Sequence, residues 1–168
     1  SMTEPPAFAI EVVVTSTDLD DLGHANNLHF LRWMLDAATA HWVDYQSVVP
    51  AEVVAGVGWV VLRHELDYFA PAFPGDRLEV ATWVPTCSAL TCDRFSEIRR
   101  PADQALLARG ASTYCVVDLA TGKPRRMGEA LRLAIGGPAL IKRTRIERTF
   151  PERPALIHRG PATGHSPR

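Results

Sequence analysis

One stretch limits the fold more than any other. Residues 28–43 place apolar side chains on almost every side of a helix (Leu28, Phe30, Leu31, Trp33, Met34, Leu35, Ala37, Ala38, Ala40, Trp42, Val43). A helix with hardly any polar face has to be covered nearly all round. Immediately before it, residues 18–27 pack carboxylates, an imidazole and two amides around Gly23. A polar loop feeding the N-terminus of a buried helix can aim backbone N–H groups and the positive end of the dipole at an anion or a polarised carbonyl. Carbonyl chemistry fits such a place.

The rest of the chain supplies the cover. Residues 10–14 form a short β-branched run and read as a first strand. After the helix, Pro50-Ala51-Glu52 starts one more helical turn before Gly56 and Gly58. Residues 59–69 alternate as a long strand, with Val60, Leu62, Leu66 and Tyr68 on one face and Arg63, Glu65 and Asp67 on the other. Turn residues then separate strands at 78–84, 90–99 and 106–117, and Gly110 marks a bulge or a close approach. Short turns force antiparallel neighbours. The order predicts an α+β fold, an antiparallel sheet wrapped around one long buried helix. An edge strand and an apolar helix in so small a unit predict a homodimer or homotetramer.

Composition narrows the function classes. The 168 residues are 46% hydrophobic and carry a formal charge of -1, so neither nucleic acid nor an anionic membrane is the expected partner. No apolar run reaches membrane-spanning length. Cys87, Cys92 and Cys115 cannot all pair within the chain, and reduced thiols in a cytoplasmic protein are the simpler expectation. No Cys/His cluster has zinc spacing, so no metal is expected. Residues 8–135 form the expected domain and residues 136–168 a basic tail rich in Pro, Gly and Arg, with seven Lys/Arg against two Glu from Lys142 onward. A solvated tail is the simplest reading of it, with no regular structure beyond Ile135.

These residues meet a known family. Asp18-Leu19-Asp20-Asp21-Leu22-Gly23-His24-Ala25-Asn26-Asn27 resembles the thioesterase signature of the hot-dog fold, and Phe73-Pro74-Gly75-Asp76-Arg77-Leu78-Glu79-Val80 resembles that fold's Gly-Asp turn into the third strand. The resemblance covers residues 10–135 and is closest to the 4-hydroxybenzoyl-CoA thioesterase-like branch. His24-x-Asn26-Asn27 is also similar to plant acyl-ACP thioesterases. It implies hydrolysis of an acyl-CoA, with acyl-ACP a lesser alternative and no cofactor. Asp20 falls on the family's nucleophile or general base, Asn27 on the helical turn that offers its backbone N–H to the thioester oxygen, and His24 on the acyl-ACP histidine. A non-catalytic acyl-CoA sensor and an enoyl-thioester hydratase are the rival readings, although Ala25 stands where the hydratase pattern wants histidine.

Around that centre, Trp33 and Trp59 are candidates for the wall of an acyl pocket, and Ser88 for a pantetheine contact. Asp18 and Asp21 read as loop caps and Asn26 as a loop tie. His29 and His41 read as packing or surface residues, His64 as a satisfied core histidine, and Arg32 with Asp36 as an ion pair along the helix. The branch's basic cluster for coenzyme A phosphates has no counterpart in Pro85-Thr86-Cys87-Ser88, which makes Arg143 and Arg145 of the tail candidates for that charge.

Overall fold

The computed structural model describes residues 7–136, 152–159 and 163–164. Strand β1 (Ala7–Val13) leads through a 3-10 turn (Ser16–Asp18) and the polar loop into helix α1 (Asn27–Val48). Asn26 caps that helix, its side-chain oxygen accepting from the Leu28 N–H at 2.9 Å. At the other end the Val49 N–H reaches the Tyr45 carbonyl at 3.1 Å, and Pro50 follows, which cannot extend the ladder. A short helix α2 (Ala51–Val54) precedes strands β2 (Val57–Tyr68), β3 (Arg77–Cys87), β4 (Thr91–Arg100) and β5 (Ala105–Asp118), then helix α3 (Glu129–Gly136).

The sheet runs β2-β5-β4-β3-β1, antiparallel throughout, and α1 packs against it. This is the expected α+β hot-dog arrangement. The core forms where Phe30, Trp33, Met34 and Ala37 of α1 meet Ile10 and Val12 of β1, Leu78 and Val80 of β3, and Ile98 of β4. Burying each larger side chain contributes roughly 1.5–3 kcal/mol. Within one chain the cover of α1 is one-sided. Leu28 and Val43 remain 74% and 58% exposed on its other side.

Three expectations need correction. First, the sheet does not stop at Ile135: β6 (Leu156–Arg159) and β7 (Thr163–Gly164) both pair with β1, in parallel. The Ala7 N–H bonds the Ala155 carbonyl at 3.3 Å and Arg153 pairs with Glu79 at 2.6 Å, so part of the tail is tied down. Second, Cys87 and Cys92 form a disulfide, because the β3–β4 hairpin sets them directly opposite with Cα atoms 4.1 Å apart. Cys115 remains a buried free thiol. Third, a register shift between Val61 and Arg63 breaks the single alternation read along β2. Trp59 and Val61 point to the helix side, Val60 and Leu62 are exposed, and beyond the bulge Leu66 packs on the core.

Candidate functional site

The loop ahead of α1 is organised by its own aspartates. Asp18 is fully buried: its Oδ2 accepts from the Thr15 N–H at 2.8 Å and hydroxyl at 3.1 Å, and its Oδ1 lies 3.1 Å from His29 Nδ1. It fastens the end of β1 to the first turn of α1, which is the capping role expected of it. His29 is its partner. Asp20 sits two residues on and is only half-buried. Its Oδ1 accepts the Leu22 and His24 N–H groups at 2.9 and 3.1 Å, while its own N–H reaches the His24 carbonyl at 2.7 Å. Gly23, with φ +76°, supplies the left-handed turn that this closed loop requires.

One carboxylate oxygen is therefore committed to the loop. Oδ2 of Asp20 takes no protein donor among the described residues. At the helix start the Asn26 side chain takes the Leu28 N–H and its carbonyl takes the His29 N–H at 2.9 Å. The Asn27 N–H, one position earlier, has no protein acceptor among the described residues. An acceptor-only oxygen and a helix-terminal donor thus lie in one loop, the pairing that addition of water to a polarised carbonyl uses. His24 is half-buried, with its ring edge-on to Phe73 at 5.3 Å.

The other candidates are spread more widely. Trp33 is fully closed in the core beneath α1 and lines no cavity described here. Ser88 is engaged in its own turn, its hydroxyl 2.8 Å from that of Thr91. His64 ties β2 to β5 through Ser112 at 2.6 Å, and burial lowers its pKa below the usual histidine value. Arg32 and Asp36 form the expected pair at 3.3 Å. Arg143 and Arg145 lie outside the described residues.

Trp59 does face a cavity. It measures about 220 Å³ and lies between the second half of α1 and the sheet, with Trp42 edge-on to Trp59 at 5.5 Å. Register shifts between Val61 and Arg63 on β2 and between Trp83 and Thr86 on β3 bend the sheet beside it. Arg94 and Tyr114 also line it, and nothing in the sequence reading singled them out. The available signal was faint: Arg94 is a charge in the register Cys92-x-Arg94-x-Ser96, where both neighbours are buried.

The family model of the thioesterase-like superfamily matches residues 14–135. No curated protein matches the sequence. Among solved structures, the chain is similar to Slr0204, a 1,4-dihydroxy-2-naphthoyl-CoA thioesterase from Synechocystis, at 25% identity and a TM-score of 0.65, over 77% of this chain and 95% of that one. It is similar to a Thermus thermophilus thioesterase complexed with coenzyme A and zinc at 28% identity and a TM-score of 0.63, over 76% and 90% of the two chains. YbaW, a probable thioesterase from Escherichia coli, shares the fold at 21% identity and a TM-score of 0.64, over 75% and 94%.

Proposed function

The chain belongs to the thioesterase-like superfamily and is a thioester hydrolase, and from that premise we propose that it cleaves an acyl-CoA to the free acid and coenzyme A. The observation that carries the residue assignment is the loop itself, where Oδ2 of Asp20 and the Asn27 N–H take no partner among the described residues. Asp20 acts as general base or nucleophile, and the Asn27 amide holds the oxygen that becomes negative as the carbonyl is attacked. His24 steadies the loop that carries them. Losing one such amide donor costs roughly 2.7–4 kcal/mol of barrier lowering in well-studied cases.

The acyl group needs a pocket, and within one chain the cavity lies far from this loop. Asn27 and Leu35, the cavity's nearest wall on α1, are eight residues apart, about 12 Å along the axis at 1.5 Å per residue. A second copy shortens that path. Tyr68, at the far end of β2, reaches the Asn27 carbonyl with its hydroxyl at 3.4 Å, and Trp59 stands at the near end of the same strand. Two copies paired antiparallel along β2 therefore bring the loop of one toward the cavity of the other. Lys123, Arg125 and Arg126 follow β5 at that same end, where Arg125 donates to the Ala55 carbonyl at 3.0 Å, and they offer positive charge for the phosphates of coenzyme A.

Asp20→Asn tests the assignment. An amide keeps an oxygen for the Leu22 and His24 N–H groups, so the loop and the fold survive, but it can act neither as base nor as nucleophile. Thiol release from a panel of acyl-CoAs should fall by at least about a hundredfold in kcat with little change in KM. Turnover within about threefold of the parent would move the chemistry to another group.

A further inference from the structure

Among the described residues, Arg94 is the only charged side chain lining the cavity between α1 and the sheet. Its Nη1 donates to His41 Nδ1 at 2.9 Å and to the Thr82 hydroxyl at 3.0 Å, and its guanidinium carbon lies 6.0 Å from the centre of the Tyr114 ring. Every one of these partners is neutral. The Arg94 N–H to Nδ1 bond requires His41 in its uncharged form, with the proton on Nε2. No carboxylate pairs with Arg94 among the described residues, and its Nε and Nη2 take no acceptor there. Asp93, its neighbour in sequence, accepts instead from Thr113 on β5 at 2.9 Å. Arg94 is half-buried beside the cavity, and burial draws its pKa below the ordinary arginine value.

A desolvated cation without a countercharge is costly, and an anion entering beside it relieves that cost. The guanidinium fork favours planar oxygen pairs in particular. Apart from Thr39 and Cys92, the other walls are flat or aliphatic, Trp42, Trp59, Tyr114 and Val61 among them. A cavity of roughly 150 Å³ is enough to hold benzene, so 220 Å³ accepts a ring bearing a substituent. We propose that Arg94 sets the specificity of this cavity for an acyl group with an apolar, ring-sized body and an acidic oxygen at its far end, a carboxylate above all. The proposal rests on the acyl-CoA reading above and names the class of acyl group.

Binding and turnover test it separately. Quenching of Trp42 and Trp59 fluorescence in the full-length chain, titrated with 4-methylbenzoate and with neutral 4-methylbenzamide, reads the cavity without any catalysis. The acid should bind about tenfold or more tightly than the amide, as a charge-assisted hydrogen bond implies. Arg94→Met should erase that preference, and Arg94→Lys should keep part of it. Equal binding of the two probes by the parent chain, or binding of neither at millimolar concentration, overturns the proposal even where Arg94→Met does not fold. In turnover, kcat/KM for 4-carboxybenzoyl-CoA should exceed that for 4-methylbenzoyl-CoA, and Arg94→Met should reverse the order. Hydrolysis of both at equal rates overturns the proposal and leaves the thioesterase reading intact. Failure to hydrolyse any acyl-CoA, with the acid still preferred in the fluorescence titration, overturns that reading and leaves the anion-selective cavity standing.

Discussion

A single phenol joins α1 to α3. The Tyr45 hydroxyl donates to the Ile135 carbonyl at 2.9 Å, and burial pushes its pKa up to about 12, with Arg94 pulling the other way and Asp44 adding slightly. In the unfolded chain the phenol ionises near pH 10. Between pH 10 and 12 the folded state therefore holds a proton that the unfolded state has released, and stability falls as pH rises through that window. Below pH 10 the contribution is complete, at most about 2–3 kcal/mol. Tyr45→Phe should cost about 1 kcal/mol at pH 8, where the Ile135 carbonyl loses its donor, and should flatten the alkaline decline. Urea midpoints at pH 8 and pH 11 check this, and an unchanged slope in the variant would exclude Tyr45 as its source. At this scale the sequence was readable where chemistry is local. Asp20 bonds within four residues of itself, so its part in a loop was visible, whereas the pairing of Asp18 with His29 was not. Nor was Arg94, because its partners His41 and Thr82 stand 53 and 12 residues away. Likewise His41, read as packing or surface, is buried and spends its ring nitrogen on Arg94, which no helical period reveals.

Between elements, helix and sheet approach closely at Gly110. A Cβ built there would stand 2.5 Å from the Met34 sulfur, so α1 rests on β5 where the strand has no side chain. The sequence reading offered a bulge or a close approach at this glycine, and it is the approach. Gly110→Ala should destabilise by about 1–3 kcal/mol through overpacking. Met34→Ala opens the space, so the two changes together should cost less than their sum by at least about 0.5 kcal/mol in urea unfolding. Strict additivity would mean that the two residues do not press on each other. The strands of the antiparallel sheet were legible because alternation and turn residues recur over short spans. What escaped were features that pattern alone does not encode. The bulge at Leu62 exchanges the inward and outward faces of β2 midway. The Cys87–Cys92 bond depends on hairpin register rather than on cysteine count. Strand β6 finds β1 from the opposite end of the chain, in a segment whose composition resembles a loop.

At the scale of the molecule, β2 is one border of the sheet, and its Val60 and Leu62, 46% and 60% exposed, point to the face away from α1. Self-association along this strand should appear as a dimer or tetramer in light scattering at micromolar concentration. Val60→Lys with Leu62→Lys should yield a monomer with unchanged circular dichroism and almost no thiol release, since the proposed site draws its loop and its cavity from different copies. A parent chain that stays monomeric yet fully active would sink the idea. The opposite border is built differently. There β1 is overlaid by β6 and β7, strands of four and two residues in parallel register. A sheet with two long free borders has a valence of two and can add copies without limit, as fibres do. With the other border reduced to two short strands of its own C-terminal segment, this protein offers one long border, a valence of one. Pairing along β2 would use that valence, so growth by strand addition is expected to end at two chains, and any larger assembly would be built from contacts between faces.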